Sequence, residues 1–302
     1  MELHTLMNKE QKIMSKNNKL LSKTNDLIFK SIFGDYKHKH ILSDFLQSIL
    51  DLPKEEYDKI ELLDPHSKTV IAGDKECVLD IKLHTKSGKV IDVEVQVRRS
   101  PVMRQRVVYY AADMLREQLR SGDQYEKLQK VICIVIAVKH KLITEDKHYY
   151  HKYQLHDRRT DSTFSDLIEV NTLELMKLPK KSDNTKMWKW MKFLQTDDEE
   201  EIEVLTQGNV AMQEAVCVLK ELSADEQMRM LVQSREKFIQ DQEARELEEF
   251  QKGLERGKQQ GLVEGEKNKA IEIVKNLIKL NFDIEKISEI TGLTERKINE
   301  VK

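Results

Sequence analysis

Residues 131–138, VICIVIAV, are apolar at every position. A strand with one wet face alternates apolar and polar residues, so a run without alternation suits a central strand covered on both sides. Helices must then flank a sheet, and the rest of the chain has to supply both the flanking helices and the neighbouring strands.

Residues 78–97, VLDIKLHTKSGKVIDVEVQV, do alternate. Leu79, Ile81, Leu83, Ile91, Val93, Val95 and Val97 share one parity, and Asp80, Lys82, Asp92, Glu94 and Gln96 share the other. The pattern predicts two strands around a tight turn. With Lys86-Ser87-Gly88 as a three-residue loop, Gly88 takes the third position, where a positive φ is wanted and glycine adopts it most cheaply. That register sets Lys82 against Asp92 and Asp80 against Glu94. Opposed residues have Cβ atoms roughly 4.5–5.5 Å apart, and two carboxylates so close repel unless a cation or a shared proton lies between them. The polar row is either an ordinary solvated face or a row of metal ligands, and the 80/94 pair is what separates the two.

Around these strands the chain is punctuated. TNDLIFKSIFGDYKHKHILSDFLQSIL reads as helix, break at Gly34, helix, with Asn25 or Thr24 as cap and Leu27, Ile28, Ile32 and Phe33 as the apolar stripe. SPVMRQRVVYYAADMLREQLRSG predicts a helix with Ser100 as N-cap, Pro101 at N1 and Gly122 at C′. Val102, Arg106, Tyr109, Tyr110, Met114 and Leu115 are its expected inner side. YYHKYQLHDRRTDSTFSDLIEV reads as a further hairpin completing the sheet, and its histidines 148, 151 and 156 as strand-surface residues, because their spacing fits neither a metalloprotease helix nor a zinc finger. His38 and His40 read as helix surface. From KMWKWMKFLQ onward every signal is helical. The last twenty residues look like a helix-turn-helix with Ile287, Ile290, Leu293 and Ile298 as core, Gly292 in the turn and Thr294 as cap.

These readings divide the chain into a polar tail over 1–23, an α/β domain over 24–196 and a helical extension over 197–302. The length of 302 residues permits that division. Three scattered cysteines, Cys77, Cys133 and Cys217, make neither a disulfide framework nor a zinc site and suggest a reducing compartment. No apolar run approaches the ~20 residues of a membrane span, so the expectation is a cytoplasmic protein without a membrane partner. The formal net charge is −2, yet residues 98–159 hold 14 Lys and Arg against 7 Asp and Glu, a basic middle suited to a polyanion.

Four segments in order, NDLIFKSIFGD, LDIKL, VEVQV and RVVYYAADMLREQLRSGDQYEKLQKVICIVI, resemble the PD-(D/E)XK nuclease-like transposases, the Rpn recombination-promoting nucleases. The resemblance covers residues 25 to about 195, and the glycine-spaced helical tail also looks like the family's. It implies a restriction-endonuclease-like α/β core, a mixed sheet flanked by helices, with an all-helical C-terminal extension. It also implies that Asp80 and Glu94 are metal-binding carboxylates, that the Val95 carbonyl adds a ligand, and that Asp26 is the acidic residue of the first helix. Gln96 would stand where most of the superfamily has lysine, so the missing charge would come from a second metal, from Lys82, or from nowhere. A competing register, Asp64…Asp80-x-Lys82, restores the lysine but leaves Glu94 and Gln96 unexplained.

The expected activity is Mg²⁺-dependent DNA cleavage, with Mn²⁺ as a substitute, in recombination or transposition. The rival reading is a nuclease fold that has lost catalysis and binds DNA or protein. In the tail, Gly253, Gly257, Gly261 and Gly265 recur every four residues. They fall on one side of a helix, where a partner helix, most simply that of a homodimer, could approach closely; a flexible hinge is the other reading of the same spacing.

Overall fold

A computed structural model of the chain describes residues 19–63, 80–98, 100–142 and 146–300. The order of elements is α1 (Asp26–Phe33), α2 (Lys39–Ile49), β1 (Glu61–Leu63), β2 (Ile81–His84), β3 (Val90–Gln96), α3 (Met103–Arg116), β4 (Val131–Ala137), β5 (Tyr150–Asp157) and β6 (Ser162–Glu174). Helices α4 (Lys186–Gln195), α5 (Glu199–Thr206), α6 (Val210–Ala224), α7 (Glu226–Lys279), α8 (Ile284–Thr291) and α9 (Glu295–Asn299) follow. The strands form a single six-stranded sheet in the order β1-β2-β3-β4-β6-β5. Strands β1, β2 and β3 pair antiparallel, β3, β4 and β6 pair parallel, and β5 returns antiparallel to β6. This is the mixed sheet flanked by helices that the sequence predicts.

Strand β4 is buried at every residue and sits in the middle of the sheet. The β2–β3 register is the one read from the turn, with Lys82 opposite Asp92 and Ile81 opposite Val93. Gly88 has φ +88°, and its N–H donates to Thr85 O at 2.9 Å. Glu56 clamps the turn from outside: its carboxylate accepts from Thr85 Oγ1 at 2.7 Å, Ser87 Oγ at 2.9 Å and Lys89 Nζ at 2.5 Å. Burial alone would raise its pKa, but these donors outweigh it and hold the carboxyl at about 2.

Parity decides which helices each side chain meets. Ile91, Val93, Ile132, Ile134, Ile136 and Leu173 join the large core formed with α1, α2, α4, α5 and α6. Its centre is aromatic: Phe29, Phe33, Phe45 and Trp190 stack edge to face or tilted. Asn25 caps α1 by accepting from Leu27 N at 3.1 Å, and the buried stripe is Ile28, Phe29, Ile32 and Phe33, with Leu27 at its margin. Val90, Val131, Cys133 and Val135 point to the opposite face and pack against Met103, Val107, Tyr110, Ala111 and Met114 of α3.

Several expectations change. Helix α3 starts at Met103 and stops at Arg116, because Ser100-Pro101-Val102 form a turn closed by Met103 N–H to Ser100 O at 3.2 Å. Gly122, with φ +92°, belongs to the separate turn from Arg120 to Asp123. The buried side of α3 is Met103, Val107, Tyr110, Ala111 and Met114, and Val102 and Tyr109, expected there, are exposed. Lys23, expected in a polar tail, is fully buried, with Nζ donating to Thr196 O at 2.6 Å and forming an ion pair with Asp197 Oδ1 at 3.6 Å. Leu79 and the Asp64-Pro65 loop lie outside the described residues.

The chain divides into compact units Met1–Val232 and Gln233–Lys302. Helices α5 and α6, assigned from the sequence to the extension, bury Ile202, Leu205, Met212 and Leu219 in the core of the first unit. In the second unit Val274, Ile287 and Ile298 form a small core, with Leu277, Ile278, Ile284 and Leu293 packed on it. Ile290, expected there, is 58% exposed. Gly292 closes α8 in the left-handed region at φ +67°, whereas Thr294 makes no side-chain cap. Among the described residues no helix is long and apolar enough to cross a membrane.

Candidate active site

Residues of one parity on β3 share a sheet face. Val90 packs against α3, so Asp92 and Glu94 point to the same α3 side, and both are buried. Asp80 stands directly before β2, one step beyond the Ile81–Val93 pair, and so across from Glu94. Val95 lies past the end of the β2–β3 ladder, and its N–H donates instead to Asp80 Oδ2 at 2.9 Å. The N–H and C=O of a strand residue face the same side, so the Val95 carbonyl is directed toward Asp80 as well.

Two cations reach this acidic row from the flanking helices. Lys30 of α1 brings Nζ to 3.4 Å from Asp80 Oδ1. Arg106 of α3 brings its guanidinium to 3.9 Å from Glu94 Oε1, with the guanidinium 5.4 Å from the centre of the Tyr110 ring. Gln96 completes the row, its amide donating to Glu94 Oε2 at 3.1 Å. Asp26 begins α1 one turn before Lys30, and a four-residue spacing places both on the same side of the helix.

The carboxylates perturb one another. Burial raises the pKa of Glu94 to about 7 and the charge of Asp80 adds to it, against the opposing pull of Arg106, Gln96 and Lys30. Burial raises Asp92 well above the carboxylate range, with Glu94 and Asp80 adding and Lys82 opposing. One oxygen of Asp92, Oδ1, is buried without a hydrogen-bond partner among the described residues. Two buried carboxyls with raised pKa values, one of them with an unsatisfied acceptor, beside the half-buried Asp80 suit a hard divalent cation, which takes oxygen ligands and would favour the ionised forms. By its chemistry an all-oxygen donor set of this kind suits Mg²⁺ or Mn²⁺.

The sequence reading treated Asp92 as the partner of Lys82 on the polar row and did not count it as a site residue. Its signal was present in the i, i+2 spacing to Glu94. Lys82 Nζ is held by Glu117 Oε2 at 2.7 Å, at the end of α3, while its charge still acts on Asp92. Arg106 and Lys30 are the cations that the flanking helices bring beside Glu94 and Asp80. The sequence puts Arg106 on the inner side of its helix, but neither distance can be read from spacing, because each depends on how a helix packs against the sheet.

The family description "PD-(D/E)XK nuclease family transposase" matches residues 23–248. No curated protein and no solved structure matches the chain. With the matched segment spanning most of the sequence, and with the mixed sheet, its buried carboxylates and the flanking helices in place, the chain belongs to the PD-(D/E)XK nuclease family transposases.

Proposed function

We propose that the protein is a divalent-metal-dependent DNA endonuclease acting in the cytoplasm, in recombination or transposition. The observation that carries this reading is the convergence of Asp80, Asp92 and Glu94 on one face, with an unsatisfied buried oxygen among them. Asp80 and Glu94, with the Val95 carbonyl, would hold Mg²⁺ or Mn²⁺, and Asp92 is placed to support them. Bound there, the metal supplies Lewis-acid polarisation of a phosphate and lowers the pKa of a water.

The chain's own residues do the rest. Gln96 orients Glu94 and can hydrogen-bond a water beside it, though it brings no charge. Arg106 and Lys30 compensate the carboxylates and offer cationic groups to phosphate oxygens; a guanidinium can do so through two parallel hydrogen bonds. Asp26, on the Lys30 side of α1, is the acidic residue by which the first helix contributes. The basic stretch over 98–159 would bind the DNA backbone irrespective of sequence.

The test uses supercoiled plasmid with Mg²⁺ or Mn²⁺, with and without EDTA. The wild type is expected to nick or linearise the plasmid only with metal, and Asp80→Ala and Glu94→Ala to abolish cutting while keeping the circular dichroism of the fold. Absence of cutting with either metal, against retained DNA binding, would favour a nuclease fold that only binds.

We also propose that two copies meet along α7. Gly253, Gly257, Gly261 and Gly265 lie within this continuous helix, and a Cβ built on any of them meets nothing within 4 Å among the described residues. Leu247, Phe250 and Leu254 are exposed on the same helix. Each glycine costs ~1 kcal/mol of helix stability against alanine, and the close approach of a second helix would offset that cost.

A further inference from the structure

At the far edge of the sheet Asp146, His148 and His151 bring one ligand atom each to within 4.8 Å of one another. Asp146 Oδ1 lies 2.7 Å from His148 Nδ1, and Oδ2 lies 3.2 Å from His151 Nε2. The carboxylate is positioned by the backbone, since His148 N–H donates to Oδ1 at 2.7 Å. His151 is held on β5, paired with Thr172 of β6, and its ring stacks on Tyr153 at 6.0 Å and 20°. Although Nε2 is within ion-pair distance of Asp146, neither ring nitrogen of His151 has the alignment of a hydrogen bond with any described residue. His148 is the exposed member, with a side chain 82% exposed.

Two imidazoles and a carboxylate are the donors of a borderline ion. Zn²⁺ takes His nitrogen and Asp oxygen at about 2.0–2.2 Å, so its ligand atoms stand roughly 3.3–3.5 Å apart in a tetrahedron. The three ligand atoms already lie within 4.8 Å of one another, and the largely exposed His148 side chain has room to adjust toward that spacing. Mg²⁺ is a poor match, because imidazole is not among its preferred ligands. The spacing Asp-x-His-x-x-His is uninformative on a helix pattern; it becomes a cluster only because His151 is on a strand and Asp146 and His148 lie in the segment leading into it.

The sheet register places this cluster relative to the acidic row. Glu94 pairs with Val135, Val135 with Thr172, and Thr172 with His151. Cross-strand partners share a face, so Glu94 and His151 stand on the α3 side at the same level, three strands apart, about 14 Å at ~4.8 Å per strand. We propose that Asp146, His148 and His151 form a second metal site, selective for Zn²⁺ over Mg²⁺, with three protein ligands and an open fourth position for water or an anionic oxygen. It ties the segment before β5 to the edge strand of the sheet.

The test separates this site from the acidic row by working in an Asp80→Asn/Glu94→Gln background. That protein is stripped with EDTA and titrated with Co²⁺, followed by visible absorption, and with Zn²⁺ by calorimetry in millimolar Mg²⁺. One equivalent is expected to bind, with the intense visible bands of low-coordinate Co²⁺. His148→Ala and His151→Gln, added singly, are each expected to weaken Zn²⁺ binding by about tenfold or more. Since the His148 side chain is largely in solvent, His148→Ala tests the site without threatening the fold. Absence of binding in the background protein, or affinity unchanged by His148→Ala, would overturn the proposal.

Discussion

The side-chain amide of Gln96 donates to Glu94 Oε2 at 3.1 Å, while the guanidinium of Arg106 lies 3.9 Å from the other oxygen of the same carboxylate. Glu94 is thus held between a neutral donor from its own strand and a cation from α3. Gln96→Lys puts a second cation beside it. An ammonium there favours the ionised carboxylate and offsets the charge of a bound hydroxide, so metal-dependent cleavage is expected to be retained or raised, with the acid limb of its pH profile moved to lower pH. Plasmid cleavage measured across pH checks this. A loss of activity accompanied by weaker metal binding would mean that a second cation already occupies that place.

The carboxylate row should make the metal-free protein less stable in base. With its pKa at about 7 in the fold against an ordinary value of 4.5, Glu94 keeps a proton that the unfolded chain has released. The native state then binds more protons between about pH 4.5 and 7, so stability falls as pH rises through that window and stays low above it. Glu94→Gln removes the titration. In EDTA the variant is expected to be more stable than wild type by up to about 3 kcal/mol at pH 8, the advantage vanishing near pH 4.5. Thermal melts in EDTA at four or five pH values read it; a gain independent of pH would show that repacking rather than charge is responsible.

Glu56 has the opposite sign. Its pKa is depressed to about 2 by the donors of the β2–β3 turn, so its contribution is fully present above about pH 4.5 and is lost as pH falls toward 2. Glu56→Gln is expected to cost about 1–2 kcal/mol at pH 7, with the difference from wild type closing at acid pH. Urea midpoints at pH 7 and pH 3 measure it.

The four glycines of α7 give a prediction with two readouts. Replacing all four by alanine should raise helix content, since each has open space around it and ordinary helical φ. If two copies meet there, added Cβ atoms separate them, and sedimentation should shift the protein toward monomer at micromolar concentration. Increased helicity with the wild-type oligomeric state would remove the glycine side from the interface.

The two helices before the hairpin, the central position of VICIVIAV and the register of the hairpin were determined by the sequence alone, whereas the short edge strand β1 was not legible in it. Each depends on local periodicity or on one turn, and a three-residue loop with glycine third admits only one pairing of the flanking strands. That pairing also placed Asp80, Glu94 and Gln96 together before any tertiary contact was known. Where α3 begins was not legible, because Ser100-Pro101 fits a helix start as well as the turn it forms. The partner of Lys82, the cations beside Asp80 and Glu94, and the burial that makes Asp92 a member of the site were decided only by tertiary structure. They require α1 and α3 to pack on opposite faces of the sheet while both reach the end of β3. The meeting of Asp146, His148 and His151 was likewise not legible: spacing in a chain becomes distance in space only once the backbone conformation between the residues is set, and here the turn closed by His148 N–H on Asp146 and the pairing of His151 with β6 set it.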